Sequence, residues 1–140
     1  MAMIKRILAP TDFSELSAKG VRYASQLAKE LGSELVIMNI VPLDESNFAS
    51  KREIDQHKLE LDEFLLARDL NPNLNIRKLV EPGVPSGAII SFAERENCDL
   101  IVMSSHGRSG LSRVLVGSVT EQILRKSPCP VLVVPLDPQK

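Results

Sequence analysis

Short apolar runs recur along this 140-residue chain, and each of the first four precedes a longer segment with helical spacing of apolar residues. The runs are rich in Ile, Leu or Val and show little polar alternation, which is typical of strands covered on both faces in a parallel sheet. The five runs are Ile4–Ala9, Leu35–Val41, Asn75–Val80, Leu100–Met103 and Val131–Val134. The sequence therefore predicts strands that alternate with helices.

The segments between the runs predict four helices, at about residues 14–31, 47–69, 84–97 and 111–126. The first carries an apolar stripe, and Gly32 follows it as an expected C-cap. In the highly charged second helix we expect His57 to face solvent. Strand–helix alternation with right-handed crossovers gives an α/β three-layer sandwich, and this length predicts a single domain, residues 1–140. The pattern alone leaves the strand order open.

Composition removes several classes of protein. A net charge of −1 gives no electrostatic reason to expect nucleic acid or a membrane surface as partner, and 4% aromatic residues are few for stacking bases. The N-terminus lacks the apolar region of a signal peptide and no run approaches the length of a membrane span, so we expect a cytoplasmic protein. Cys98 and Cys129 predict ordinary packed thiols, and no metal site is expected.

Ligands of open parallel sheets bind beyond the carboxyl ends of the strands, so the residues there are the candidates for a site. After the first run, Asp12 could accept hydrogen bonds from ribose or help to hold a metal; alternatively, Asp12 or Ser14 caps the first helix. After the second run, the backbone amide and carbonyl of Val41 would be free to read the edge of an adenine. After the third, Gly83 predicts a tight turn.

The segment after the fourth run is the most informative. Glycines and small residues in 104–110 and 117–120 allow the backbone amides to wrap an anion, and a helix that starts near Ser118 would offer more amides to a phosphate. Arg108 and Thr120 add further donors. The alternative is a loop followed by an N-cap at Ser118, with Glu121 completing a capping box. The glycine spacing fits neither a Walker A loop nor the dinucleotide fingerprint.

From end to end, the chain resembles the universal stress protein family. The resemblance rests on four segments taken together, namely Ile7–Ser14, Asp99–Arg108, Gly117–Glu121 and Pro128–Val134. The ATP-binding branch of that family has Gly, two residues, Gly, nine residues, then Gly and Ser or Thr. Here Gly107 and Gly117 keep the spacing of nine residues and Ser118 follows, but Ser104 stands in place of the first glycine.

The resemblance implies an α/β sandwich similar to the adenine nucleotide alpha hydrolases, with a five-stranded parallel sheet ordered 3-2-1-4-5 and commonly a homodimer. It also implies ATP as ligand, alone or with Mg²⁺, in a crevice between the first and fourth strands. Adenosine would contact Pro10, Thr11, Asp12 and Val41. Ribose and phosphates would contact Met103, Ser104, His106, Gly107, Arg108, Gly117, Ser118 and Val119.

Several functions remain to be weighed. A receiver domain needs paired acids after the first strand, and a flavin module needs aromatic residues, so neither fits. Without an evident catalytic triad we expect no enzyme activity beyond slow ATP hydrolysis. The apolar last run, Val131–Val134, would form an edge strand that a second subunit covers. The prediction is a nucleotide-responsive, dimeric stress-response protein; the alternative is an interaction module of the same fold that binds no nucleotide.

Overall fold

Strands and helices alternate from end to end in the structure, a computed structural model that describes residues 3–105 and 117–135. The strands are β1 (Arg6–Pro10), β2 (Glu34–Val41), β3 (Ile76–Pro82), β4 (Leu100–Ser104) and β5 (Val131–Val134). The helices are α1 (Glu15–Leu31), α2 (Lys51–Arg68), α3 (Pro85–Arg95) and α4 (Ser118–Lys126). All five predicted strands and all four predicted helices are present, and most of the ends that can be compared shift by one to four residues. Residues 111–116, the start of the predicted fourth helix, lie outside the described residues.

The sheet is parallel and ordered β3-β2-β1-β4-β5, which confirms the order that the resemblance implied. The chain leaves β1 toward one edge of the sheet and later returns to build β4 and β5 on the other side. The order therefore reverses between β1 and β4, where the helices that follow the two strands leave on opposite faces. This divergence opens a crevice at the carboxyl ends of both strands.

Two apolar layers cover the sheet, one on each face. In the first layer, the odd-numbered residues of β1 and β2 and the even-numbered residues of β4 pack against α1 and α2. In the second layer, the remaining residues of these three strands, with the opposite parity, pack against α3 and α4. Ile7, Ile37 and Phe64 represent the first layer, and Leu8, Met38 and Phe92 the second. Because β1 and β4 are buried on both faces, they read in the sequence as continuous apolar runs.

Local signals set the ends of the helices. The Ser14 side chain caps α1 by accepting a hydrogen bond from the amide of Ser17, and Gly32 ends the helix in the left-handed conformation, as predicted. Ser50 and Glu53 form a capping box at the start of α2. None of the helices in the described ranges is long and apolar enough to span a membrane.

Helix α1 approaches β4 closely at Gly20. A β-carbon at this position would lie 2.8 Å from the backbone nitrogen of Ser104 and 3.0 Å from the carbonyl carbon of Met103. Neither backbone atom can move aside without disturbing a buried strand, so the helix sits at a distance that only glycine permits. The approach fixes α1 against the end of β4, next to the crevice.

Candidate functional site

A cavity of about 300 Å³ occupies the crevice at the reversal of the strand order. Among the described residues, eight that were predicted as site residues line it: Pro10, Thr11, Asp12, Met103, Ser104, Gly117, Ser118 and Val119. Met38, Ile40 and Ile89 add apolar lining on the side of α3. The predicted residues His106, Gly107 and Arg108 lie outside the described residues. The structure thus brings the residues after β1 and those before α4 into one cavity.

Val41 does not line this cavity, and its backbone carbonyl is not free. Its carbonyl oxygen accepts a hydrogen bond from the amide of Gly83 at 3.0 Å, and the residue is fully buried. The neighbouring Ile40 lines the cavity instead. Side chains alternate along a strand, so the Ile40 and Val41 side chains point to opposite faces of the sheet. The expectation that the Val41 carbonyl is free was therefore wrong, whereas a contact of Val41 with adenosine stays a prediction.

The turn between β1 and α1 holds Asp12 in a fixed position. One carboxylate oxygen, Oδ1, accepts hydrogen bonds from the amide of Ser14 at 3.0 Å and from its hydroxyl at 2.5 Å. Ser14 is the N-cap of α1, so the carboxylate holds the capping residue and is not itself the cap. Of the two predicted alternatives for capping, the structure shows Ser14. Asp12 also lines the cavity, so the same residue holds the N-cap of α1 and forms part of the cavity wall.

Thr11 organises the same turn through its hydroxyl group. Its oxygen accepts a hydrogen bond from the amide of Phe13 at 3.0 Å and lies 2.7 Å from the hydroxyl of Ser17. Since the Ser17 hydroxyl donates to the carbonyl of Ser14, the proton between the two hydroxyls belongs to Thr11. Phe13 has a positive φ of 70°, which is uncommon for a bulky residue and is held here by this network.

Ser104 directs its hydroxyl toward α1. The hydroxyl donates to the carbonyl of Leu16 at 2.6 Å and accepts from the amide of Gly20 at 2.9 Å. Its φ is not positive, so the replacement of the motif's glycine by serine strains no backbone. The serine therefore adds a hydrogen-bonded connection between β4 and α1, and its hydroxyl already has two partners.

Helix α4 begins at the cavity without a side-chain cap. Gly117 is the N-cap and Ser118 the first helical residue, and no side-chain hydrogen bond caps this end. The alternative interpretation, an N-cap at Ser118 with a capping box to Glu121, was therefore wrong. The first hydrogen bond of the helix runs from the amide of Glu121 to the carbonyl of Gly117, which leaves the three intervening amides without an acceptor inside the helix. These amides and the positive end of the helix dipole suit an anion.

The start of α4 is also tied to the edge of the sheet. The amide of Gly117 donates to the carbonyl of Ser105 at 2.8 Å, and the amide of Ser105 donates to the carbonyl of Val134 at 2.9 Å. On the side of the cavity, the Thr120 hydroxyl donates to the carbonyl of Ser104 at 3.1 Å. The residues before and after the undescribed segment 106–116 are thus held by ordered hydrogen bonds.

Besides the apolar lining, the sequence analysis missed a polar residue of the cavity, Asn39, and its partner His57. Asn39 is 3% exposed, lines the cavity and donates from Nδ2 to the carbonyl of Thr11 at 2.9 Å. His57 on α2 lies with Nδ1 2.8 Å from Oδ1 of Asn39 and is half-buried, so the expectation that it faces solvent was wrong. The available signal was Asn39 itself, the one polar residue within the apolar run Leu35–Val41.

The two cysteines are not activated nucleophiles. Burial raises the pKa of the Cys98 thiol to about 11, and burial also raises the pKa of Cys129. Both thiols are therefore protonated near neutral pH, and both pack in the apolar layer beneath α3 and α4. This agrees with the prediction that they are ordinary packed thiols.

The fold and the cavity define an open parallel α/β domain with a cavity at the reversal of its strand order, where domains of this class bind their ligands. The model of the Universal stress protein family matches residues 3–135. The chain belongs to this family, as the sequence resemblance predicted.

Relatives from archaea match over nearly the whole chain. Universal stress protein MJ0531 of Methanocaldococcus jannaschii is 34% identical, over 94% of this chain and 82% of the relative. The solved structure of MJ0577 from the same organism has a TM-score of 0.66 at 30% identity and covers 98% of this chain and 99% of its own. A universal stress protein solved in complex with cAMP has a TM-score of 0.70 at 24% identity, over 96% of this chain and 98% of its own.

Proposed function

We propose that this protein binds ATP in the cavity between β1 and β4 and acts as a nucleotide-responsive stress-response protein of the cytoplasm. One observation carries the proposal: the same cavity has an apolar surface at the ends of the strands and the N-terminus of α4, which no side chain caps. A base and a phosphate chain need these two environments side by side. The cAMP complex of a family member indicates that the same fold can accommodate an adenine nucleotide.

The adenosine half of the ligand would lie over the apolar lining. Met38, Ile40 and Ile89 form a surface on which a purine can be buried, and Asp12 projects from the β1–α1 turn beside it. A carboxylate that is already held by Ser14 loses little freedom when it accepts hydrogen bonds from ribose hydroxyls. This arrangement favours a nucleoside over a simple inorganic anion.

The phosphates would lie at the start of α4. Gly117 and Ser118 both line the cavity, and the first-turn amides, which have no acceptor within the helix, are suitable donors to phosphate oxygens. Among the described residues that line the cavity, Asp12 is the one with a carboxylate, which suits a polyanion at the start of α4. Mg²⁺ would then accompany ATP through the phosphates.

We assign binding and not efficient catalysis to this site. Phosphoryl transfer needs a metal-holding acid together with a group that orients the attacking water or acceptor. Among residues 3–105 and 117–135, no three His, Cys, Asp or Glu side chains group in a way that could hold a metal ion. Slow hydrolysis at most is therefore the expectation, and radiolabelled ATP incubated with the purified protein would measure it.

Calorimetric titration with ATP, in the presence and absence of Mg²⁺, tests the proposed ligand directly. We expect one site per chain. Separate titrations with adenosine and with inorganic phosphate measure the affinity of each half of the site by itself. If ATP gives no heat and does not raise the thermal midpoint, the alternative holds, namely an interaction module that acts through its surfaces.

We further propose a homodimer formed through β5. This strand is the last of the sheet beyond β4, its four residues are all apolar, and each is half-buried in a single chain. Such an edge favours pairing with a copy of itself about a two-fold axis. Pairing would satisfy the outer backbone groups of the strand and cover its side chains together.

Replacing Val133 by lysine is expected to shift the protein from dimer to monomer, or to make it insoluble, because a charged side chain on an edge strand opposes pairing. Light scattering on a sizing column measures the mass. Val133→Thr is the matched control, since it keeps the branched shape without a charge and should leave the dimer in place. An unchanged dimer in the lysine variant would contradict the proposed interface.

A further inference from the structure

A continuous hydrogen-bonded path leads from α2 to the cavity on the other side of the sheet. His57 Nδ1 lies 2.8 Å from Asn39 Oδ1, and Asn39 Nδ2 lies 2.9 Å from the carbonyl oxygen of Thr11. Thr11 precedes Asp12, and both line the cavity. His57 does not line the cavity, so it can act on a ligand there only through Asn39 and the turn.

Chemistry fixes the direction of every proton in this path. The carbonyl oxygen of Thr11 can only accept, so the atom of Asn39 that faces it must be the amide nitrogen. The amide oxygen of Asn39 therefore faces His57, whose Nδ1 must carry a proton and donate it. Asn39 is nearly fully buried, so losing the histidine donor would leave a buried oxygen without a partner.

A second contact joins His57 to the same turn. The ring of Phe13 lies 5.9 Å from the ring of His57 and 5.9 Å from that of Phe64, both on α2. Phe13 has a positive φ and follows Asp12 directly, so its position decides the path of the turn. Helix α2 thus holds the turn at two points: the carbonyl of Thr11, through Asn39, and the ring of Phe13.

We infer that Asn39 and His57 are positioning residues that set the β1–α1 turn, and with it Asp12, for the nucleotide. The inference rests on the proposed ATP site. None of the described residues of α2 lines the cavity, so α2 would affect the ligand without contacting it there. His57 orients Asn39, Asn39 holds the carbonyl of Thr11, and the turn presents the Asp12 carboxylate. A change on α2 would therefore alter nucleotide affinity from the other side of the sheet.

The test compares His57→Asn with His57→Asp. The asparagine amide nitrogen is bonded to Cγ, as Nδ1 is, so it can donate to Asn39 at the same place. Aspartate has the same shape but presents an acceptor to the Asn39 oxygen. We expect His57→Asn to bind ATP within about twofold of the unchanged protein and His57→Asp about tenfold more weakly, as expected for one buried hydrogen bond. Gln56→Glu, an exposed neighbour, controls for the added negative charge.

Amide resonances of Asp12 and Ser14 in the free protein provide a readout that does not depend on the ligand. All three His57 variants lose the ring contact with Phe13, so the shift in His57→Asn measures that loss. The resonances should move further in His57→Asp and in His57→Leu, which lacks the donor without adding a charge, and stay in place in Gln56→Glu. Equal ATP affinity in the asparagine and aspartate variants, or shifts in both His57→Asp and His57→Leu no larger than in His57→Asn, would overturn the inference. If the unchanged protein binds no ATP, the proposed function fails, and the resonances alone decide whether His57 sets the turn.

Discussion

Replacing Ser118 by aspartate should weaken ATP binding by about 10- to 100-fold while leaving the fold at least as stable. The residue is the first of α4, it lines the cavity, and its side chain is exposed, so aspartate fits without displacing neighbours. A carboxylate there repels phosphates over a distance of a few ångströms, at a cost on the order of 1–3 kcal/mol near a surface. The same charge at a helix N-terminus stabilises the helix by about 0.3–1 kcal/mol.

The opposite signs of these two effects separate binding from stability. Isothermal titration with ATP measures the first effect and thermal unfolding without ligand measures the second. Ser118→Asn is the matched control, because it has the size of aspartate without the charge and should lose little affinity. An aspartate variant that binds ATP as tightly as the asparagine variant would place the phosphates away from α4.

Replacing Gly20 by alanine should lower the free energy of unfolding by about 1 kcal/mol, the difference between an overlap and a gain in helix preference. The added methyl group would lie 2.8 Å from the backbone nitrogen of Ser104, and relieving such an overlap in a packed interior costs about 1–3 kcal/mol. Alanine's preference for the helix, about 1 kcal/mol, offsets only part of that. Because the overlap lies at the end of β4, the displaced helix would also disturb the Ser104 hydrogen bonds beside the cavity.

Gly87→Ala supplies the comparison. This glycine also lies in a helix, α3, but a β-carbon there meets no atom within 4 Å. The same substitution should therefore stabilise the protein by about 0.5–1 kcal/mol, since only the loss of backbone freedom in the unfolded chain remains. Chemical denaturation of both variants measures the difference. If the two alanine variants have equal stability, the close approach of α1 to β4 is not a constraint on the fold.

The order of elements could be predicted from the sequence because burial on both faces leaves continuous apolar runs. The four helices follow from their spacing, and Gly32 could be recognised as a C-cap because its role depends only on nearby residues. The strand order needed the family resemblance, since apolar periodicity says which faces are buried and not which strands are neighbours. The outcome agrees with that resemblance in all four strand pairings.

Details of the site were harder to predict wherever they depend on contacts between distant residues. Val41 and Ile40 are adjacent, yet Ile40 lines the cavity whereas Val41 is fully buried away from it. His57 belongs to a helix in which half of the residues are charged, and its burial depends on Asn39 and Phe13 from other elements. The role of Ser104 likewise depends on α1, which lies more than 80 residues away in sequence.

The two backbone hydrogen bonds of Ser105 join the start of α4 and the last residue of β5 to the same residue. A nucleotide at the start of α4 and a second subunit at β5, as proposed, would each act on that residue. Around a closed thermodynamic cycle, the factor by which ATP tightens the pairing of two chains must equal the factor by which pairing tightens ATP. Cellular protein abundance would then adjust nucleotide affinity with no change in sequence, and adenylate levels would in turn adjust the fraction of chains that are paired.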